Sequence, residues 1–403
     1  MLRGEIELNL KRFREVRREF AEEKFININP IQRGGVLTSA ARKALLEFGD
    51  GYSICDRCPP KTPRLDMIER PPVKVFYEEL AKFLGMDVAR VVTRCREAMF
   101  IALYMLGKPG GYVIVDSLAH YSTYLAAELA KLKVKEVPNT GYPEFRVQVE
   151  AYREKIEEVI DETGEPPVAV VLTHVDSYYG NLADAKVVGE ICKRYSVPFI
   201  LNAAYSAGIM PVNGRELKVD VLVSSGHKSW AACAPTGILA MTEEMAKRIL
   251  KPSEIKGDLT GKSFPVKELA LLGCTVMGAP LVTLMASFPY VVERVKHWDE
   301  EVRKARYFVE EMEKIEGTKL LGVKPKMHTL MHFESMGFYK VSQSHKRRGF
   351  FLYEELKKRN IVGIQPGLTK HFKLNVYGLT WDQVRYVADA FKEIAEKYGL
   401  KAG

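Results

Sequence analysis

Four runs rich in Val, Ile and Leu constrain this chain more than any other feature: "PPVAVVLT" (166–173), "VPFILNA" (197–203), "VDVLVSS" (219–225) and "TGILAM" (236–241). Each is bounded by Pro, Gly or polar residues and shows no alternation of apolar and polar positions. That is the pattern of strands buried on both faces of a mostly parallel sheet. "ARVVTRC" (89–95) and "GYVIVDS" (111–117) repeat it upstream, interleaved with the helical "VFYEELAKFLG" and "YSTYLAAELAKL". Strand and helix in turn predict an α/β large domain. After "GAPLVTLMASFPYVVERVKHWDEEVRKARYFVEEMEKI", which reads as one long or broken helix, "KLLGVKPKMHTLMHF", "GFFLYEELKKRN" and "TWDQVRYVADAFKEIAEKYG" predict a smaller α+β domain. The expected division is an N-terminal arm and cysteine-bearing loop over 1–69, a large α/β domain over 70–290 and a small C-terminal domain over 291–403.

A chain of 403 residues buries a sizeable core, and its +9 net charge favours an anionic partner without requiring one. The N-terminus is charged throughout, with no apolar signal-type region, and no stretch of eighteen apolar residues occurs, so a soluble cytoplasmic protein with no membrane partner is expected. Six cysteines over this length do not make a disulfide scaffold. Cys55 and Cys58, two residues apart in "GYSICDRCPP", have the spacing for one ion or cluster, or for a redox pair. A structural zinc site wants a fourth ligand at close spacing, and that stretch has none. Cys95, Cys192 and Cys233 fall in or beside apolar elements, as small buried residues do, although Cys95 also falls near a candidate ligand-binding turn.

The strongest chemical signal is "VLVSSGHKSWAACAPTGILAM". It places Lys228 between two apolar strands, at a strand end where open α/β sheets bind ligands. A partly buried amine loses its proton more readily and forms a Schiff base with a carbonyl cofactor. A loop lysine is otherwise usually a solvated one, so the neighbouring motifs carry the argument.

Those motifs resemble fold-type I pyridoxal-phosphate enzymes of the class V aminotransferase kind. "VVTRCREAMF" sets Arg96, Glu97 and Ala98 at a helix N-terminus suited to a phosphate, and "VDSLAHYST" sets His120 where the resemblance implies a ring stacked on the pyridine. "VLTHVDSYYGNLAD" and "FILNAAYSAG" supply His174, Asp176, Asn181 and Asn202 at later strand ends, and Ser225 and His227 flank Lys228. Most such enzymes carry an aspartate where Asn202 stands. An amide bonds the ring nitrogen without stabilising its positive charge, which weakens the electron sink and favours β-elimination or β-replacement over transamination. Asp176 is the other candidate for that contact.

Taken together, "NPIQRGGVLTSAARKALLEFGDGYSICDRC", "TRCREAMF", "THVDSYYGNLADAK", "LNAAYSAGIMPV", "SSGHKSWAACAPTG" and "LLGCTVMGAP" resemble the archaeal O-phosphoseryl-tRNA:cysteinyl-tRNA synthase family over about residues 27–290. The resemblance implies PLP-dependent replacement of phosphate by a sulfur nucleophile on phosphoserine esterified to tRNA(Cys), through a dehydroalanine-type intermediate. Lys228 would be both cofactor lysine and general base, and Arg33, Arg96 and Lys262 are candidates for the substrate phosphate. It also implies that Cys55, Cys58 and Cys274 handle sulfur, either as ligands of an iron–sulfur cluster or as persulfide carrier and reductant. A homodimer, a tRNA contact through "KRFREVRR" or Lys346, Arg347 and Arg348, and the phosphoseryl-tRNA synthetase as partner are further expectations. The competing readings are a cysteine desulfurase or selenocysteine lyase, and a tRNA-binding relative without catalysis; Asn202 and the Cys55/Cys58 pair count against the first, Lys228 against the second.

Overall fold

The computed structural model describes residues 16, 18–20, 24–31, 33–50, 54–55, 64–65, 69–272 and 275–403. Cys58 and Cys274, most of the N-terminal "KRFREVRR" and the side chain of Cys55 lie outside what it describes.

Seven strands form the central sheet: β1 (Val88–Val92), β2 (Tyr112–Asp116), β3 (Lys133–Val137), β4 (Ala169–Thr173), β5 (Phe199–Asn202), β6 (Val221–Ser225) and β7 (Gly237–Met241). Their order is β1-β7-β6-β5-β4-β2-β3. Pairing is parallel from β6 to β3, and β7 runs antiparallel to both β1 and β6. This is the fold-type I arrangement. Every residue of β4 to β7 is buried, as their unbroken apolar runs require. Strand β3 was not foreseen. It is an edge strand, its solvent-facing positions carry Lys133 and Glu136, and so it lacks the apolar run that marked its neighbours.

Helices cover both faces, so two apolar clusters sandwich the sheet. Those used below are α1 (Ser39–Glu47), α2 (Val73–Phe83), α3 (Cys95–Leu106), α4 (Tyr121–Leu129), α5 (Tyr152–Thr163), α6 (Ala185–Tyr195), α7 (Gly226–Ser229), α8 (Glu243–Ile249), α9 (Gly278–Arg294) and α10 (Trp298–Glu313). The long helical pattern of the sequence is interrupted, with a 3-10 turn at Val295–His297 between α9 and α10. Beyond it a three-stranded antiparallel sheet, β8 (Thr318–Leu321), β9 (Leu330–Ser335) and β10 (His371–Asn375), closes a third core around Phe308, Phe333, Phe372 and Phe391. "KLLGVKPKMHTLMHF" therefore supplies two strands. Residues 26–27 pair in parallel with 361–362, and Asn375 N–H donates to Ile28 O, which stitches the N-terminal segment onto this unit. Among the described residues, no helix is long and apolar enough to cross a membrane.

A small ladder bears on the cysteines. The two-residue strand Ile54–Cys55 pairs with Arg64–Leu65 on one side and Thr275–Val276 on the other, with Cys55 opposite Thr275.

Candidate active site

The loops leaving the carboxyl ends of β1, β2, β4, β5 and β6 enclose a cavity of about 440 Å³, at the edge where open α/β sheets bind ligands. Gly237 keeps this end tight. It sits opposite Val92 and Ser225 in the sheet, and a Cβ there would lie 2.3 Å from the Arg94 carbonyl carbon, so only glycine admits the turn into α3.

Lys228 lies on α7, one turn of helix held from several sides. Gly226 N–H donates to Thr236 O, Ser229 Oγ–H to Ala204 O at 2.6 Å, and Ala231 N–H to Gly34 O. Beneath it, the half-buried Arg294 guanidinium donates to Ser229 O (2.5 Å), Gly208 O (2.8 Å) and Gly34 O (3.0 Å). The turn is thus fixed by groups far away in sequence. Lys228 Nζ stands 4.6 Å from the centre of the Tyr205 ring. Burial lowers its pKa from the usual lysine value, and the Arg96 guanidinium adds to this.

Six of the anticipated residues line the cavity together: Arg96, His120, Asn202, Ser225, His227 and Lys228. His120 is the N-cap of α4, its Nδ1 accepting from Ser122 N–H at 3.3 Å, and burial with the nearby Lys228 and Arg96 charges pulls its pKa down to about 4. The ring is neutral at physiological pH. Burial also lowers His227, whose Nδ1 lies 3.5 Å from Ser225 Oγ. Asn202 Oδ1 accepts from Ala204 N–H at 3.3 Å and from the Cys95 thiol at 3.9 Å. That leaves its NH₂ as the group to donate to a ligand. Burial pushes the Cys95 thiol up to about 12, so it serves as a neutral donor.

The other anticipated residues stand elsewhere. Glu97 reaches back to accept from Thr93 N–H at 2.7 Å, and the Glu97 and Ala98 amides both donate to Arg94 O; by helix geometry the open amides of α3 are those of Cys95 and Arg96. Asp176 is buried and accepts from the amides of Tyr178, Tyr179 and Asn181, while Asn181 Nδ2 donates to Glu144 O and Phe145 O. These two residues shape the loop after β4. His174 is buried behind it, with Nδ1 2.9 Å from Ser206 Oγ. Arg33 donates to Tyr377 O, and its turn, Arg33–Gly35, packs on the back of the Lys228 turn. Lys262 lies on an exposed loop, and neither it nor Arg33 lines the cavity. Arg347 pairs with Glu354. Among the described residues, no group of three or more His, Cys, Asp or Glu stands ready to hold a metal.

Sequence reasoning missed Arg94, Ser122, Thr173 and Tyr205 in the lining, and Arg294 beneath it. Tyr205 had a signal, three residues after Asn202 in the same strand-end loop. Arg294 had none, because nothing in a helical run shows which guanidinium turns inward.

This donor set fits pyridoxal 5′-phosphate: an enclosed amine, a neutral ring to stack, an amide for the ring nitrogen, and Ser225, His227, Arg96 and the first amides of α3 for the phosphate. The profile of the family described as O-phosphoseryl-tRNA(Sec) selenium transferase, SepSecS, matches residues 32–396. The chain belongs to this family. Among similar proteins, the O-phospho-L-seryl-tRNA:Cys-tRNA synthase 2 of Archaeoglobus fulgidus is 60% identical over 93% of this chain and 95% of its own length. The synthase of Methanopyrus kandleri is 56% identical over 98% of this chain and 100% of its own. A crystal structure of a SepCysS–SepCysE N-terminal domain complex superposes with a TM-score of 0.88 at 50% identity, covering 97% of this chain and 100% of that one. A cysteine desulfurase from Thermococcus onnurineus NA1, 18% identical with a TM-score of 0.70 over 93% of this chain and 96% of that one, shares the fold.

Proposed function

We propose that this protein converts O-phosphoseryl-tRNA(Cys) to cysteinyl-tRNA(Cys), replacing phosphate on Cβ with sulfur. The observation that carries the reading is the meeting of half-buried Lys228 with an amide, Asn202, in one cavity whose lining matches pyridoxal phosphate. The names of the relatives point the same way. When bound, pyridoxal phosphate supplies the electron sink that makes the Cα proton of the amino acid removable.

Lys228 Nζ would hold the cofactor and, as the base nearest the bound amino acid, would take the proton from Cα. The Cβ–O bond breaks with its electron pair on the phosphate, a thiolate forms the C–S bond, and the proton returns to Cα. With sulfide as donor, atoms balance as phosphoseryl-tRNA plus HS⁻ giving cysteinyl-tRNA plus phosphate, with no change of oxidation state. Arg94 and Arg96, which line the cavity, are proposed to receive the departing phosphate, Arg96 from beside the cofactor phosphate. Arg33 acts from behind, through the Lys228 turn.

Cys55, Cys58 and Cys274 are proposed to present the sulfur, supported by the ladder that sets Cys55 opposite the residue after Cys274. An iron–sulfur cluster would use all three as ligands. A persulfide on one would use the other two as a two-electron reductant, closing a disulfide. Iron and sulfide analysis after anaerobic purification separates the two routes. A cytoplasmic homodimer is proposed as the working form, with the phosphoseryl-tRNA synthetase as source of substrate. A SepCysE-like protein is proposed as partner, supported by the likeness of this chain to the SepCysS–SepCysE N-terminal domain complex.

The test offers the holoenzyme phosphoseryl-tRNA with sulfide, or free cysteine. Cysteinyl-tRNA from the first supports the reading. Alanine and persulfide from free cysteine, without conversion of the tRNA, would make this a desulfurase instead.

A further inference from the structure

The cavity has an aromatic and cationic rim at the loop after β4. Ser177 lines the wall, and the next residue, Tyr178, leaves 44% of its surface open. Lys373, from β10, donates to Ser177 O at 3.1 Å and stands 5.8 Å from the centre of the Tyr178 ring. The Tyr178 backbone is held on both sides, its N–H donating to Asp176 Oδ1 at 2.8 Å and its carbonyl lying 3.0 Å from His332 Nδ1. Beside it, Tyr179 stacks on His332 at 5.4 Å and 13°. An open ring with a fixed backbone and an adjacent ammonium is the combination by which proteins hold an unpaired base and its phosphate.

We propose that Tyr178 and Lys373 form the platform for the 3′-terminal nucleotide of the tRNA, the adenine stacking on the Tyr178 ring and the Lys373 ammonium facing the adjoining phosphate. The inference rests on the activity proposed above. An amino acid whose amine meets Lys228 is joined by a single ester to the terminal ribose, so that nucleoside must leave the cavity within a residue or so of its wall. Tyr178 is one Cα step, about 3.8 Å, from the lining residue Ser177. Asp176, which does not line the cavity, then acts by holding this platform rigid.

The test measures binding of two probes to the holoenzyme: the trinucleotide CCA, and CCA with an abasic 3′-terminal ribose. Loss of the base should weaken wild-type binding about tenfold or more, as stacking on one ring is worth. Tyr178→Ala should weaken CCA by a similar factor, leave the abasic probe nearly unaffected, and raise KM for phosphoseryl-tRNA; Tyr178→Trp should restore all three. Equal binding of CCA by wild type and Tyr178→Ala, or an equal loss for both probes, overturns the proposal. The activity reading fails separately, if wild type binds CCA in a Tyr178-dependent way yet makes no cysteinyl-tRNA.

Discussion

Lys228 is suited to capture a carbonyl because its surroundings disfavour the ammonium, burial first and the Arg96 guanidinium in support. The pH midpoint for cofactor capture by the apoenzyme should therefore lie below the ordinary lysine value of 10.5. Removing a positive neighbour makes the ammonium easier to form, so Arg96→Gln should move that midpoint to higher pH, read from the growth of visible absorbance on adding pyridoxal phosphate. A shift to lower pH would mean that the field around Lys228 is set by other groups. Asn202 is the residue at which the chemistry departs from the commoner aspartate, and its amide is kept from flipping by Ala204 N–H and the Cys95 thiol, both aimed at Oδ1. The sequence made Asn202 conspicuous. It said nothing of Cys95 as the donor that orients it.

Among the elements, the turn carrying Lys228 decides the geometry, and its packing partner is the Arg33–Gly35 turn. A Cβ on Gly35 would sit 1.8 Å from His227 O, and one on Gly34 2.7 Å from Lys228 O. Gly35→Ala should push the 227–228 peptide out of place and lower cofactor occupancy several-fold in purified protein, measured by absorbance, while the far-UV spectrum stays folded. "QRGG" was legible as a loop; its role was not, because that depends on a contact nearly two hundred residues away. The strands β1, β2 and β4 to β7 were legible because burial on both faces leaves an unbroken apolar run. Edge strand β3 was hidden by the charges that protect it, and Arg94 and Arg294 were hidden because inward orientation leaves no mark on residue type.

Two histidines behind the loops, His174 and His328, give the fold an acid limit. Burial lowers them to about 4 and about 3 from the ordinary 6.5. Between those values the unfolded chain binds more protons than the folded one, so stability is full above about pH 6.5 and is lost as pH falls toward the folded values. The full loss is on the order of 3 kcal/mol for His174 and 5 kcal/mol for His328. Thermal melts from pH 7 to 4 should show it, and His328→Gln should flatten the slope.

For the molecule as a whole, Leu46 on α1 and Leu259 and Leu272 on the loops before α9 are left about nine-tenths exposed, an arrangement that a second copy would relieve. Gel filtration should give about twice the chain mass of 45.6 kDa, and Leu46→Glu with Leu272→Glu should shift it toward the monomer with loss of activity. A fully active monomer would contradict the dimer. The central claim is that Lys228 performs the exchange on the tRNA ester, and it is tested most directly by incubating wild type and Lys228→Ala with phosphoseryl-tRNA and sulfide and measuring cysteinyl-tRNA. The account predicts sulfide-dependent product from wild type and none above background from Lys228→Ala; product at the wild-type rate from the variant would contradict it.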